Sequence, residues 1–369
     1  MYSLAETSEP VVMHLPMNRS EVTETWLLDT LSVLQEFLAD PVDSIRLEPM
    51  NDGIGQLSIM VIADLVLVSG KKLQLIIKLQ TDVPSMHDIG LRYGYYENEV
   101  NFYRFFSDKV PMRTPTVFVA EFDRAAGRVL LIMESFSGWH SQDQVKGASL
   151  EQITTATRSL AGLTAAFWNT PLQEEHSWIH SLTSEVFSNI ANDYRESVEE
   201  ALNRLNGSLP ESAAANARKI GGCFDDLIIR LSEGNQALAH WDYRVENFFY
   251  GPNSEFVVID WQLMMMTRPA ADLAYLLGTN IDPELRRSSE NELMEIYLEE
   301  LARHGVTDYS RMQLEQDYRL GMLGASGIPI IGGAGVDRTN ARSSSLFQAM
   351  GGRLFQAIED WDAMALLTD

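Results

Sequence analysis

The sequence predicts an α+β chain in two parts, a five-stranded antiparallel sheet with one long helix followed by a larger, mostly helical part. Three observations carry that expectation. Residues 44–80 contain three strand-like runs, "SIRLEPM" (44–50), "LSIMVIADLVLV" (57–68) and "KLQLIIKLQ" (72–80). A second hairpin is written as "TVFVAEF" and "RVLLIME" around "DRAAGR". From Ser149 onward the apolar residues recur at helical spacing.

Residues 1–20 read as a leader, and "SEVTETWLLDTLSVLQEFL" as a helix with Ser20 as its candidate N-cap. The connectors "NDGIGQ" and "SGKK" are short and contain glycine, so the first three strands form an antiparallel meander. A helix over about 87–107 precedes the second hairpin, and the first part closes near Glu134. This gives an N-terminal domain over 1–134 and a C-terminal domain over 135–369. The second part opens with Ser149 and Gln152 in capping-box positions. Helices are expected at about 174–205, 211–232, 284–304, 311–323 and 345–366, with one β interruption at 237–262. "GASGIPIIGGAGVDRTNARSSS" (324–345) lacks the G-K-[ST] of a phosphate loop and reads as a mobile loop, a substrate lid. "WQLMMMT" reads as core packing.

With 369 residues the chain is long enough for a large core and two lobes. Its 45% hydrophobic and 22% charged residues are those of an ordinary globular protein. A net charge of -24 argues against broad binding to nucleic acid or an anionic membrane, both of which require basic patches. The single cysteine, Cys223, excludes an internal disulfide and reads as a small core residue. No run approaches a membrane span, and no basic region precedes an apolar one at the N-terminus, so the expectation is a cytoplasmic protein. Oligomeric state is not legible.

The chemistry concentrates in "ALAHWDYRVENFFYGPNSEFVVIDWQ" (237–262). "GPNS" is a turn between two apolar runs. A symmetric turn over 251–254 pairs Asn247 with Val258 and Val245 with Asp260. Asn247 and Asp260 then share a face, within about 8 Å of each other. An amide oxygen and a carboxylate so placed suit Mg²⁺. Asp242 lies five residues before Asn247, the spacing of the kinase loop H-R-D-x-x-x-x-N, in which the Asp takes the substrate hydroxyl proton. The bland alternative is that His240 and Asp242 only satisfy loop backbone; the added Asn and strand-end Asp weigh against it.

"HWDYRVENFFY", "VVIDWQ" and "PAADLAYLL" together resemble the aminoglycoside phosphotransferase and choline kinase superfamily, nearest its ecdysteroid kinase-like and acyl-CoA dehydrogenase-associated branch. The resemblance runs over roughly 44–280. It implies a bilobal, protein-kinase-like fold and an ATP- and Mg²⁺-dependent kinase for a small-molecule hydroxyl. It assigns Asp242 as the base, Asn247 and Asp260 as metal ligands, and Asp272 as a structural aspartate bracing the loops. Gly53 and Gly55 fall where a phosphate-covering loop belongs, and Lys78 at the phosphate lysine. Glu99 stands among Tyr95, Tyr96, Phe102, Tyr103 and Phe106 on one helix face, where an unpaired carboxylate is costly, so Lys78 is its expected partner; Glu97 is the fallback. Met133–Ser135 would be the hinge offering backbone groups to adenine. The usual family text has glycine where this chain has Trp241.

No activation segment fits between Asp260 and the helix around Asp272, which argues for a small-molecule rather than a protein substrate. Two rivals stand beside the kinase: a pseudokinase of the same fold, and a hydrolase using His240 and Asp242. No G-x-S-x-G, H-E-x-x-H or zinc-ligand spacing supports the hydrolase.

Overall fold

The computed structural model describes residues 14–34, 37, 39–50, 57–205, 207–335 and 340–367. The chain divides into two compact units, residues 1–109 with 114–139, and residues 110–113 with 140–369.

The first unit contains α1 (Glu24–Ser32), β1 (Val42–Pro49), β2 (Ser58–Leu67), β3 (Lys72–Gln80), α2 (Pro84–Arg92), α3 (Tyr95–Phe105), β4 (Val117–Asp123) and β5 (Arg128–Glu134). The strands form one antiparallel sheet in the order β1-β2-β3-β5-β4. Alternation sets its two faces. Ile59, Val61, Ala63, Leu65 and Leu67 of β2 and Leu75, Ile77 and Leu79 of β3 join Leu27 and Leu31 of α1 in one buried core. Lys78 lies between Ile77 and Leu79, so it projects from the opposite face.

Two expectations here are corrected. The N-cap of α1 is Thr23, whose Oγ1 accepts the Trp26 N–H at 3.1 Å, rather than Ser20. The single helix over 87–107 is two helices, because Gly94 between them adopts φ 69°, a left-handed conformation open to glycine.

The second unit contains α4 (Leu150–Ala166), α5 (Ile190–Arg204), α6 (Ala213–Gly222), α7 (Phe224–Leu231), β6 (Ala237–Ala239), β7 (Phe248–Tyr250), β8 (Phe256–Val258), β9 (Met265–Thr267), α8 (Ala271–Asn280), α9 (Pro283–Arg303), α10 (Arg311–Ala325) and α11 (Ala341–Asp360). The Ser149 and Gln152 capping box is present at α4. All ten residues of α8 are buried, and it packs against α4, α10 and α11. It is the apolar axis from which the loop at 240–247 is held. Met264, Met265 and Met266 are buried in the core, as expected.

The helix expected over 174–205 has its long part only at 190–204. Upstream, Ser181 and Ser184 bond locally to backbone and side chains, which competes with helix. The pattern over 211–232 breaks after Gly221–Gly222, at the half-buried Cys223. The last helix begins earlier than expected, at Ala341, and a 3₁₀ turn follows over Ala363–Leu367.

The glycine-rich stretch is also corrected. Residues 324–335 are helical: the end of α10, a π-helical segment over Ile328–Gly332, and a short turn over Gly333–Gly335. Two of its glycines serve close packing: a Cβ on Gly324 would stand 2.6 Å from Leu231, and one on Gly332 would stand 2.8 Å from Phe347. Just before the stretch, a Cβ on Gly321 would stand 2.9 Å from Ala271 and Ala274 of α8. Residues 336–339 lie outside the described residues.

Candidate active site

In the first unit Lys78 Nζ donates to Glu99 Oε1 at 2.8 Å, and both residues are buried. Glu97 lies on another side of α3 and pairs with the exposed Arg124. Met133 is buried within the sheet, its backbone register shared with Ile76 and Val117. The Glu134 N–H bonds to Thr116 O at 2.8 Å and the Ser135 N–H to Gln74 O at 3.3 Å. Those two hinge donors are therefore engaged within the unit. Gly53 and Gly55 lie outside the described residues.

In the second unit the loop after β6 is held by α8. Asp272 and Tyr275, three residues apart, face the same side of that helix. Asp272 Oδ2 accepts the His240 N–H at 2.6 Å, and its Oδ1 accepts the Trp241 N–H at 2.9 Å. Tyr275 O–H donates to Asp242 Oδ1 at 2.8 Å. Burial pushes the Tyr275 phenol well above its ordinary range, so it stays protonated and can serve as that donor.

His240 is fully buried. Its Nε2–H donates to Ile259 O at 2.9 Å, and its Nδ1 accepts the Asp242 N–H at 3.2 Å. Each bond fixes one nitrogen, and together they require the neutral tautomer. Burial also lowers the imidazole pKa. His240 therefore braces the loop and offers no proton to chemistry.

Trp241 adopts φ 62°, in the left-handed region. This is the backbone reason glycine suits the position. The conformation costs a non-glycine residue about 1–2 kcal/mol, and the Asp272 bonds to the His240 and Trp241 N–H groups, which lead into it, offset it. The indole reaches α10, with Cη2 3.5 Å from the point where a Gly324 Cβ would stand.

Asp242 Oδ2 accepts from Arg244 Nε at 3.0 Å and Asn247 Nδ2 at 3.0 Å. Asn247 Nδ2 also donates to the Asp242 carbonyl at 2.9 Å. Arg244 Nη1 continues to Gln144 Oε1 and to Glu246 Oε2, and Glu246 accepts from Arg342, which also bonds Asp143. Tyr275, Arg244, Gln144 and Glu246 were missed from the sequence. Tyr275 could have been found one turn beyond Asp272, and Arg244 and Glu246 from their alternation inside the loop.

The expected hairpin register is wrong by one residue. Phe248 pairs with Val258, Phe249 with Val257 and Tyr250 with Phe256. Neither Asn247 nor Asp260 is on the ladder. Asn247 ends a 3₁₀ turn over Val245–Asn247, and Asp260 adopts φ 68°, ψ 62° just after β8. The Ile259 N–H donates to Asn247 O at 3.0 Å, so the two segments still meet where Asp260 follows.

The donor set fits a hard cation. Both amide hydrogens of Asn247 are engaged, so Oδ1 is the atom it could offer a cation, and Asp260, whose Oδ2 accepts from Gln262 Nε2 at 3.4 Å, could add a carboxylate. Among the described residues no group of three or more His, Cys, Asp or Glu could hold a metal. Two protein oxygens with phosphate and water completing the shell is the way Mg²⁺ is commonly bound.

Asp272 is itself testable. Burial, opposed by its two backbone bonds, pushes its pKa up to about 7. An unfolded aspartate titrates near ~4, so between about pH 4 and 7 the native state binds more protons, and stability from this group falls as pH rises. Asp272→Asn lacks that titration. The stability advantage of the parent over Asp272→Asn should therefore shrink by roughly 1 kcal/mol per unit as pH rises, with His240 common to both. Denaturant melts at about pH 5 and about pH 7 measure it; an advantage that holds constant or grows contradicts the assignment.

The fold is the protein-kinase-like one. It is shared with an ethanolamine kinase from Plasmodium vivax, at 14% identity over 92% of this chain and 90% of that one, TM-score 0.53. It is shared too with the GDP complex of a mutant aminoglycoside 2'-phosphotransferase, at 12% identity over 93% of this chain and 99% of that one, TM-score 0.51. At these identities the likeness speaks for the fold. The sequence matches the ecdysteroid kinase-like family over residues 57–306, and the chain belongs to that family. No curated protein matches it significantly. Among the described residues no helix is long and apolar enough to cross a membrane.

Proposed function

We propose that this chain is an ATP- and Mg²⁺-dependent kinase that transfers the γ-phosphate to a hydroxyl of a small molecule. The observation that supports the reading is the bonding of Asn247 across the loop to Asp242, which orients a carboxylate and leaves the amide oxygen as the atom that would face a cation. Asp242 would accept the acceptor's hydroxyl proton as that oxygen attacks the γ-phosphorus in line and the bond to ADP breaks. Asn247 and Asp260 would hold Mg²⁺, which when bound neutralises phosphate charge. Lys78, held by Glu99, would contact the phosphates, and the backbone around Gly53 and Gly55 would cover them. Met133 and Ser135 would flank adenine. Most of the rate would come from positioning and charge neutralisation.

One observation favours the pseudokinase reading: both carboxylate oxygens of Asp242 already accept hydrogen bonds, from Tyr275, Arg244 and Asn247. The two readings part in one experiment. ATP consumption is measured over a panel of sugars, sterols and amino alcohols, with and without Mg²⁺, for the parent and Asp260→Asn. The kinase reading expects acceptor-dependent turnover that requires Mg²⁺ and falls at least about a hundredfold in Asp260→Asn. A melting temperature raised by Mg-ATP without turnover on any acceptor favours the pseudokinase. Indifference to nucleotide rejects both.

A further inference from the structure

The second unit carries a groove of 480 Å³ away from the Asp242 loop's own residues. It is lined by Gly207, Ser208 and Pro210 on one side, Pro283 at the start of α9, and the α11 face that includes Ala349 and Arg353. Its volume falls within the usual range of small-molecule sites, roughly 300–1,000 Å³. Its floor is close-packed, since a Cβ on Gly352 would stand 2.5 Å from Ser208 O.

Arg353 is the group that needs an account. Arg244, Arg268 and Arg286, also in this unit, each bond a carboxylate. Arg353 bonds only backbone carbonyls: Nη1 to Gln144 O at 2.6 Å and Thr279 O at 3.2 Å, and Nη2 to Val145 O at 3.0 Å. The carboxylates nearest it in effect, Asp282 and Asp143, are engaged elsewhere, with the Glu284 N–H and with Arg342. Arg353 Nε–H and one Nη2–H carry no hydrogen bond among the described residues. In a chain of net charge -24, a half-buried guanidinium bonded only to backbone carbonyls is unusual. The carbonyl bonds fix its plane, and the remaining N–H fork is the geometry that receives a carboxylate or phosphate.

We propose that this groove is a binding site for a small anion, a phosphate- or carboxylate-bearing molecule, with Arg353 as its cation. The site is independent of the kinase reading. Gln348 adds complementarity: its Nε2 is bonded to Arg204 O, which leaves Oε1 to receive a hydroxyl or amine of the same ligand.

The test is calorimetric titration of the full chain with pyrophosphate and with citrate, against sodium chloride at matched ionic strength. The variants are Arg353→Gln, which removes the charge, and Ala349→Glu, which sets a carboxylate in the groove one turn before Arg353, where it repels an anion and competes for the guanidinium. Binding with a Kd of about 1 mM or tighter is expected, weakened at least tenfold in both variants. Preference for pyrophosphate identifies a phosphate ligand, preference for citrate a carboxylate, and either supports the proposal. Equal binding by the parent and either variant overturns it, because the anion then sits elsewhere. So does the absence of heat from both probes up to about 10 mM. If Arg353→Gln fails to fold, the Ala349→Glu comparison decides alone.

Discussion

Asp242→Asn is expected to lower acceptor-dependent turnover by about 10³-fold while leaving the melting shift with Mg-ATP intact. The substitution is nearly isosteric, and the surroundings can absorb it. The Asn oxygen can take the place of Oδ2, accepting from Arg244 Nε and Asn247 Nδ2. Its amide group would then face the Tyr275 hydroxyl, which can rotate from donor to acceptor. What the variant cannot do is take a proton. A loss of turnover without loss of nucleotide binding would therefore isolate the chemical role of the carboxylate. Turnover within tenfold of the parent would show that Asp242 is no general base, whatever its place in the loop.

Lys78→Met is expected to destabilise the first unit by about 3–5 kcal/mol, the usual cost of removing one partner from a buried ion pair. Glu99 is 3% exposed and would lose its hydrogen-bonded cation on a helix face made of Tyr96, Phe102 and Tyr103. The double variant Lys78→Met/Glu99→Leu should recover most of that loss, because an apolar pair of similar volume often matches a buried ion pair in stability. Denaturant melts of the two single variants and the double one form the cycle. A cost below about 1 kcal/mol for Lys78→Met, or no recovery in the double variant, would mean that the pair is not the compensated buried charge its geometry describes. ATP affinity should fall in the single and the double variant alike, so stability and binding separate the two roles of Lys78.

Much of this was legible from the residues. The alternation in "LSIMVIADLVLV" and "KLQLIIKLQ" placed the sheet, because a strand with one face on the core has no other way to distribute those side chains. Glu99 pointed to Lys78 because a carboxylate on an apolar face demands a cation. The 248–258 hairpin departs from the expected register. A symmetric turn is the natural default, but Asn253 and Ser254 both take positive φ and shift the ladder by one residue. The link between Tyr275 and Asp242 spans 33 residues and exists only once α8 is seated, so no local pattern announces it. The glycine-rich stretch at 324–345 reads as a loop because glycine breaks isolated helices, yet residues 324–335 are helical. In the folded unit the glycines at 321, 324 and 332 admit neighbours where a side chain would collide.

The two Asp272 bonds carry a wider consequence. The shape of the loop is dictated by α8 rather than by the residue that occupies position 241. A backbone clamped from outside makes that position conformationally prescribed yet chemically open. Glycine is the unstrained tenant, but a tryptophan can live there because its neighbours enforce the turn. The side chain at position 241 can therefore change without rebuilding the loop that holds Asp242.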